Sequence, residues 1–113
     1  MSKRLHKQIA RICLQDAPCE ACGVIQAGKA IRLDNASTKP EETFVISARD
    51  ILKWKPETIF HSHPRGDEGF SEHDLLVAAN MDLTTYVYVN EADRLEKWSA
   101  ESGLEVFETV LKS

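Results

Sequence analysis

The sequence predicts an α+β fold with three α/β/α-like layers, in which helices flank a mixed, largely antiparallel sheet. Three observations support this fold class. The 113 residues, 42% hydrophobic and 28% charged, have the size and composition of one globular domain. Helix-like and strand-like segments are interleaved along the chain, and two pairs of short strands follow each other closely enough to form hairpins. We therefore expect residues 1–113 to form a single domain.

The first element is predicted to be an amphipathic helix over residues 3–15. Leu5, Ile9 and Ile12 recur at helical spacing, and polar residues lie between them. We expect the helix to end before Pro18, because a proline displaces the preceding residue from the helical region of backbone conformation.

The next segment is predicted to be a β-hairpin followed by a loop and a third short strand. The hairpin strands are Cys22–Ala27 and Lys29–Leu33, joined around Gly28. Asp34–Glu42 is polar and rich in turn-forming residues, which indicates a loop. β-branched and aromatic residues then predict a strand over Thr43–Ile46.

The second half of the chain alternates helices with strands. A helix is predicted over Ser47–Trp54 with Ser47 as its N-cap, and a strand over Thr58–His63. A second clear helix, Ser71–Met81, is expected to line one face with Leu75, Ala78 and Ala79. The remaining alternation of apolar and polar residues predicts three strands towards the edge of the sheet: Thr84–Val89, Leu95–Ser99 and Glu105–Val110.

Charge and composition exclude several classes of partner. The net charge of −4 and the pI near 5.5 give no electrostatic reason to expect nucleic acid or an anionic membrane as a partner. Apolar runs are far shorter than the roughly 18 residues needed to span a bilayer, and the basic N-terminus lacks the hydrophobic region of a signal peptide. Three cysteines without a secretion signal favour reduced thiols, so we expect a cytoplasmic protein.

The most informative segment begins with two histidines, His61 and His63, at the end of a predicted strand. Residues two apart in a strand point to the same face, so the two imidazoles lie side by side. Pro64 supports this geometry because it biases His63 towards an extended backbone.

The same segment continues into the second helix, whose first turn carries Ser71 and Asp74. These two residues are three apart and share one helix face, whereas His73 lies about 100° away around the helix. Two histidines and one carboxylate form a three-ligand set for Zn²⁺ that leaves a fourth position open, as in catalytic zinc sites. Such an ion acidifies water and polarises carbonyls, which suits amide hydrolysis.

Each half of this pattern also has an ordinary structural explanation. A His-x-His pair in a strand is commonly two partly exposed histidines, and Ser-x-x-Asp at a helix start is commonly a capping box. The two explanations are compatible with a metal site, since Ser71 can cap the helix and still face the ion.

The whole segment resembles the signature of the JAMM (MPN-plus) zinc metallopeptidases. In residues 61–74, His-Ser-His is followed by seven residues, a serine, two residues and an aspartate, which fits that signature without a gap. Pro-x-Glu-x-x-Gly at 18–23, Asn-Ala at 35–36 and Phe-x-Ile at 44–46 are also similar to the family. The resemblance covers residues 3–90 and implies the cytidine-deaminase-like MPN fold.

The resemblance also implies roles for individual residues. It makes His61, His63 and Asp74 the zinc ligands, Glu20 the general base, and Ser71 the residue that steadies the zinc water or the tetrahedral intermediate. The residue types alone leave other carboxylates open as the base: Glu41, Glu42, Glu57, Asp67 and Glu68. Glu20 is preferred among them because it precedes an apolar strand that can hold it rigidly. The implied activity is hydrolysis of a peptide or isopeptide bond.

Two alternatives to a peptidase remain open. The family includes members that lost their ligands and act as scaffolds or protein-binding modules, and fold alone does not decide between these functions. Cys19-x-x-Cys22 is a possible redox pair, but it leads into a strand, so buried thiols are the favoured interpretation. Elsewhere, we expect His6 on the first helix to be solvated.

Within the family, the run 56–63 is similar to the N-terminal domain of bacteriophage tail-assembly proteins. That domain is usually followed by an NlpC-type cysteine peptidase domain, so the resemblance implies a possible NlpC-type or phage tail partner and, for a phage protein, the host cytoplasm. The chain also lacks the insertions with which eukaryotic deubiquitinating members grip ubiquitin. A protein or peptide substrate is expected, and the lack of these insertions disfavours ubiquitin as that substrate.

Overall fold

The polypeptide places helices on both faces of one mixed sheet, as the sequence predicts. The computed structural model describes residues 3–112, so the ends of the predicted 1–113 domain, Met1, Ser2 and Ser113, lie outside the described residues. Within that range there are three α-helices: α1 (Lys3–Asp16), α2 (Ala48–Trp54) and α3 (Glu72–Met81). The six strands of the same range are β1 (Cys22–Gln26), β2 (Lys29–Leu33), β3 (Thr58–His63), β4 (Thr84–Val89), β5 (Arg94–Ser99) and β6 (Gly103–Phe107).

The six strands form one sheet in the order β2-β1-β3-β4-β5-β6. The central β3–β4 pair is parallel and all other neighbours are antiparallel. Parallel strands need a crossover connection, and α3 supplies it between β3 and β4. A short 3-10 turn, Asn90–Ala92, joins β4 to β5. No helix within residues 3–112 has the length and apolarity required to cross a membrane.

Helix α1 covers one face of the sheet and forms the main core. Ile9, Ala10 and Cys13 of α1 are fully buried against aromatic and aliphatic side chains from the central strands. Gly23 in β1 has no room for a side chain, because a Cβ there collides with the Phe60 ring and with the carbonyl oxygen of Ile31. The sheet residues of this core are Phe60, Tyr86, Tyr88 and Leu95.

The opposite face carries a smaller core and is only partly covered. Its buried residues are Val24, Leu33 and Ile59, with Trp54 of α2 packed against them. The side chains of α2 are all half-buried or exposed, and Ala78 is the buried residue of α3. This incomplete cover leaves an open cavity between α3 and the sheet.

The strand predicted over Thr43–Ile46 is wrong. The segment is not a strand of the sheet, and its backbone instead bonds to residues 35–36, where the Ala36 amide donates to the Val45 carbonyl at 2.8 Å. Asn35 Oδ1 accepts a hydrogen bond from the Val45 amide at 3.1 Å, and Asn35 Nδ2 donates to the Thr43 carbonyl at 2.9 Å. Local β propensity therefore predicted a strand at a position where no strand of the described sheet pairs with the segment.

Three further expectations are corrected by the tertiary structure. The strand predicted over Glu105–Val110 is β6, Gly103–Phe107, because Gly103 with φ +67 closes a tight hairpin with Ser99. His6 is buried, not solvated, and its ring lies 4.4 Å from that of Phe107. Ala79 is exposed, since the incomplete cover over α3 leaves only a narrow contact with the sheet around Ala78.

Candidate metal centre

The candidate site starts with the two histidines at the end of β3. His61 and His63 point to the same side of the sheet, His61 buried with 2% exposure and His63 half-buried. Asp74 from α3 meets them: His63 Nε2 lies 3.4 Å from Asp74 Oδ2, and His61 Nε2 lies 3.8 Å from Asp74 Oδ1. One ligand atom from each of the three residues lies within 4.8 Å of the other two. The structure therefore brings together the three residues proposed as ligands.

The first turn of α3 holds Asp74 in place. Ser71 is the N-cap of the helix, and its Oγ accepts a hydrogen bond from the Asp74 amide at 3.0 Å. The Ser71 amide donates in return to Asp74 Oδ2 at 3.1 Å, which completes a capping box. Ser71 also lines the cavity that contains the cluster. The capping role and a role beside the cluster are thus compatible, as expected from the sequence.

A loop between β3 and α3 orients His63. The Nδ1 atom of His63 lies 3.0 Å from the carbonyl oxygen of Glu68. A carbonyl only accepts hydrogen bonds, so Nδ1 carries a proton and Nε2 is the nitrogen that faces Asp74 and is available to a metal ion. This is the arrangement that a metal-binding histidine needs.

The loop is tethered in turn to β5. The Glu96 carboxylate accepts hydrogen bonds from the Phe70 amide at 3.0 Å and from Arg94 Nε at 2.9 Å, and Arg94 also donates to the Asp67 carbonyl. Gly69 passes so close to Glu96 that a Cβ at this position collides with the carboxylate. A buried ion pair on the sheet therefore fixes the loop that orients His63.

Phe44 forms the outer wall beside His61. The two rings stack with a centroid separation of 4.3 Å and an interplanar angle of 20°. Burial lowers the pKa of His61 to about 4, so its imidazole is neutral at neutral pH. His61 Nδ1 is buried and makes no hydrogen bond to any of the residues from 3 to 112. A neutral imidazole keeps a lone pair on one ring nitrogen and is therefore suited to ligation.

The donor set fits a zinc ion. Burial opposes ionisation of Asp74, but hydrogen bonds from His63 and Ser71 and the nearby His61 hold its pKa well below its ordinary value. The hydrogen bond to Asp74 raises the pKa of His63. Two ligand atoms on a tetrahedral zinc lie about 3.3 Å apart, since each sits at about 2.0–2.1 Å from the ion. The two measured His–Asp separations, 3.4 and 3.8 Å, are close to this value.

Glu20 lines the same cavity as the cluster, although it comes from the segment before β1. Its backbone is held on both sides: its amide donates to the Pro40 carbonyl at 2.7 Å, and its carbonyl accepts from Asn35 Nδ2 at 3.0 Å. The side chain is 9% exposed, and burial raises its pKa to about 7, with His63 opposing and Asp74 reinforcing the shift. A carboxyl group with this pKa can accept and return a proton near neutral pH.

The other carboxylates considered as the base are all exposed. Glu42 borders the cavity, while Glu41, Glu57, Asp67 and Glu68 do not line it. The cysteines follow the favoured interpretation, because Cys13 and Cys22 are buried and Cys19 is half-buried. Burial raises the pKa of Cys22 to about 12, which disfavours a reactive thiolate.

Sequence reasoning missed two residues that build the site. Ser62, between the two histidines, is fully buried on the α1 side, where its Oγ accepts from the Ala21 amide at 2.8 Å. This bond ties the residue next to Glu20 to the strand that carries the histidines. Glu96, on β5, anchors the loop as described above. Ser62 could have been predicted, because a polar residue on the buried side of a strand needs a hydrogen-bond partner. Glu96 could not, because its partners Phe70 and Gly69 are remote from it in sequence.

Comparison with known proteins identifies the family. The profile described as Prok-JAB, prokaryotic homologs of the JAB domain, matches residues 2–101. The chain is also similar to the solution structure of protein DSY2949 from Desulfitobacterium hafniense, with 19% identity, a TM-score of 0.63 and coverage of 94% of this chain and 87% of that one. That likeness concerns the fold. No curated protein matches the chain significantly. The chain belongs to the prokaryotic JAB-domain family, a result that agrees with the JAMM/MPN resemblance of its sequence.

Proposed function

We propose that the protein is a zinc-dependent hydrolase that cleaves a peptide or isopeptide bond. The observation that carries this proposal is the presence of a complete His-His-Asp ligand set and a buried carboxyl group, Glu20, in one cavity of about 440 Å³. Zinc is the proposed metal because two imidazole nitrogens and one carboxylate oxygen suit its ligand preferences and leave a fourth position open.

The protein groups then divide the reaction between them. His61, His63 and Asp74 would hold Zn²⁺, which would act as a Lewis acid towards water and the scissile carbonyl. Glu20 takes a proton from the attacking water and passes it to the leaving nitrogen as the C–N bond breaks. The water oxygen remains in the new carboxylate. The Ser71 side chain lines the cavity at the helix N-terminus, where a hydroxyl can donate to the oxyanion that develops.

The proposed substrate is a protein or peptide, because the cavity is an open cleft at the surface that an extended chain can enter. An NlpC-type or phage tail partner, the absence of nucleic-acid and membrane partners, and a cytoplasmic location stay predictions from the sequence.

Metal analysis combined with one isosteric variant tests the proposal. We expect purified protein to bind one equivalent of zinc, and the loaded protein to hydrolyse members of a library of peptides and isopeptides. Glu20→Gln is expected to bind zinc normally and to lose about 10²- to 10⁴-fold in turnover, the usual contribution of a general base. Glu57→Gln, which changes an exposed carboxylate outside the cavity, is the matched control and is expected to keep full activity.

The outcomes separate an enzyme from a scaffold. Turnover that survives in Glu20→Gln removes Glu20 from the mechanism. Zinc binding without hydrolysis of any substrate class supports a catalytically silent protein-binding module, and failure to bind zinc rejects the metal centre itself.

A further inference from the structure

The cavity that holds the candidate metal centre has two chemically different ends. One end carries the metal ligands, Glu20 and Ser71. The other is lined by aliphatic groups from three elements, none of which takes part in the proposed chemistry. These aliphatic residues are Ile59, Val77, Ala78 and Leu83, together with Thr85.

The lining changes from polar to aliphatic two residues from His61 along β3 and one helical turn from Asp74 along α3. On β3, Ile59 precedes His61 by two residues, so it lies on the same face about 6.6 Å further along the strand. On α3, Val77 and Ala78 follow Asp74 by three and four residues, which places them on the same side one turn further on. The floor continues onto β4, where Thr85 is the register partner of Ile59.

This aliphatic end is accessible from outside the molecule. Val77 lies at the rim and is 38% exposed, while Ala78 and Ile59 are buried, with exposures of 2% and 8%. Successive residues of an extended chain are about 3.3 Å apart, so the residues next to a carbonyl at His61 lie within reach of Ile59. A substrate whose carbonyl faces the ligands therefore brings a flanking side chain to the aliphatic end.

We propose that this end of the cavity is a specificity pocket for an aliphatic side chain on a residue that flanks the scissile bond. The proposal rests on the proposed hydrolase function and narrows its substrates to peptides with a residue of the leucine or valine type beside the cleaved bond. Glycine at both flanking positions leaves the pocket empty and is disfavoured.

Competition between peptides tests the pocket in the zinc-loaded protein. A peptide set carries glycine, alanine, valine or leucine at each of the two positions that flank the scissile bond. We expect kcat/KM to be roughly ten- to one-hundred-fold higher for leucine than for glycine at one of these positions, because a buried side chain of this size contributes that much. Equal rates for glycine and leucine at both positions overturn the proposal.

A pair of adjacent variants provides the matched control. Val77→Phe fills the rim of the pocket and is expected to abolish the preference for leucine over glycine. Leu76→Phe places the same ring on the next residue of α3, which is 55% exposed and does not line the cavity, and is expected to keep the preference. An identical response of the two variants contradicts the assignment.

Ligand binding separates this inference from the proposed function. Leucine hydroxamate and glycine hydroxamate share the metal-binding group and differ in the side chain. We expect zinc-loaded Glu20→Gln to bind leucine hydroxamate about tenfold more tightly than glycine hydroxamate, and Val77→Phe to remove the difference. If no peptide is hydrolysed, the proposed function is rejected, but the two hydroxamate affinities still test whether the pocket binds an aliphatic side chain. Equal affinities for the two hydroxamates reject the pocket even if hydrolysis is observed.

Discussion

Glu20 is a carboxyl group whose ionisation the protein resists. Burial raises its pKa to about 7, well above the ordinary value of 4.5. Because a nearby cation stabilises the carboxylate, zinc binding is expected to lower this pKa. We predict that Glu20 titrates near pH 7 in metal-free protein and at a clearly lower pH in the zinc-loaded form, as measured by NMR of the carboxyl carbon.

The consequence for catalysis has a definite sign. A general base must be ionised, so activity falls as the pH drops through the Glu20 pKa of the loaded protein. A metal-free Glu20 that titrates at its ordinary value contradicts the buried environment described here. Unchanged titration after zinc binding contradicts its position beside the ion.

Asp93 secures the end of the chain to the sheet. Its carboxylate accepts hydrogen bonds from the Tyr88 hydroxyl at 2.6 Å and from the backbone amides of Leu111 and Lys112 at 3.0 Å. Burial opposes ionisation, but these donors hold the pKa of Asp93 below its ordinary value of 3.8. Its contribution to stability is therefore present above pH 3.8 and is lost as the pH falls through the folded-state pKa.

We predict that Asp93→Asn lowers the free energy of unfolding by about 1–3 kcal/mol at pH 7, since an amide replaces a charged acceptor of several bonds. The difference from the unmodified protein shrinks below pH 3.8. Urea unfolding at both pH values measures it. Asp82→Asn is the control, because Asp82 is exposed and has the same left-handed backbone, with φ +52 against +50. A loss of unfolding free energy in Asp93→Asn that is the same at both pH values argues against a stabilising role for the charge of Asp93.

The loop between β3 and α3 is the element that completes the candidate metal centre begun by the two histidines of β3. It delivers the Glu68 carbonyl to His63 and the Ser71 cap to Asp74. Its anchor is on β5, where the Glu96 carboxylate accepts a hydrogen bond from the Phe70 amide. The same carboxylate leaves no room for a side chain at Gly69. Side chains on β5 therefore support the candidate metal centre through this loop.

We predict that Gly69→Ala displaces the loop and weakens zinc affinity by roughly 10- to 100-fold, the usual effect of losing a hydrogen bond that orients a ligand. Competition with a chelator of known affinity measures the change. Glu68→Ala is the control, since the bond to His63 uses the backbone carbonyl, and it is expected to bind zinc as the unmodified protein does. Equal zinc affinities in Gly69→Ala and Glu68→Ala contradict a role of the loop in orienting the ligands.

For the whole molecule, zinc binding is expected to be linked to folding, because the ligands converge only when β3 and α3 are packed. At a free zinc concentration 100 times the Kd, the linkage adds about 2.7 kcal/mol to the free energy of unfolding. For a domain of this size we predict a rise in Tm of roughly 10 °C that a chelator reverses.

Two histidine variants check that this stabilisation arises at the proposed site. His63→Ala is expected to lose the zinc-dependent rise in Tm. His73→Ala removes an exposed imidazole from the same helix turn as Asp74, outside the ligand cluster, and is expected to retain the rise. A zinc-dependent rise that persists in His63→Ala points to binding elsewhere on the surface. Its loss in His73→Ala places His73, which lines the same cavity, among the ligands.

Local patterns in the sequence were sufficient for the elements that carry the site. The alternation of a strand places His61 and His63 on one face, and the spacing of Ser71 and Asp74 specifies a capping box. Both relations act over two or three residues, so no knowledge of the rest of the chain is needed. The fold class followed from the interleaving of helix-like and strand-like segments, and the family from the resemblance of residues 61–74 and three further motifs to a known signature.

Tertiary structure alone decided what surrounds those residues. Glu20 shares a cavity with His61 because Ser62 pairs with Ala21 across the sheet, and Glu96 anchors the loop over β5. The predicted strand over 43–46 instead pairs with an asparagine side chain, and His6 is buried by aromatic rings from remote strands. The Asn35 contacts span only eight and ten residues, but they depend on a loop conformation that local periodicity does not encode. The other deciding contacts join segments far apart in sequence, and the packing of the sheet sets them.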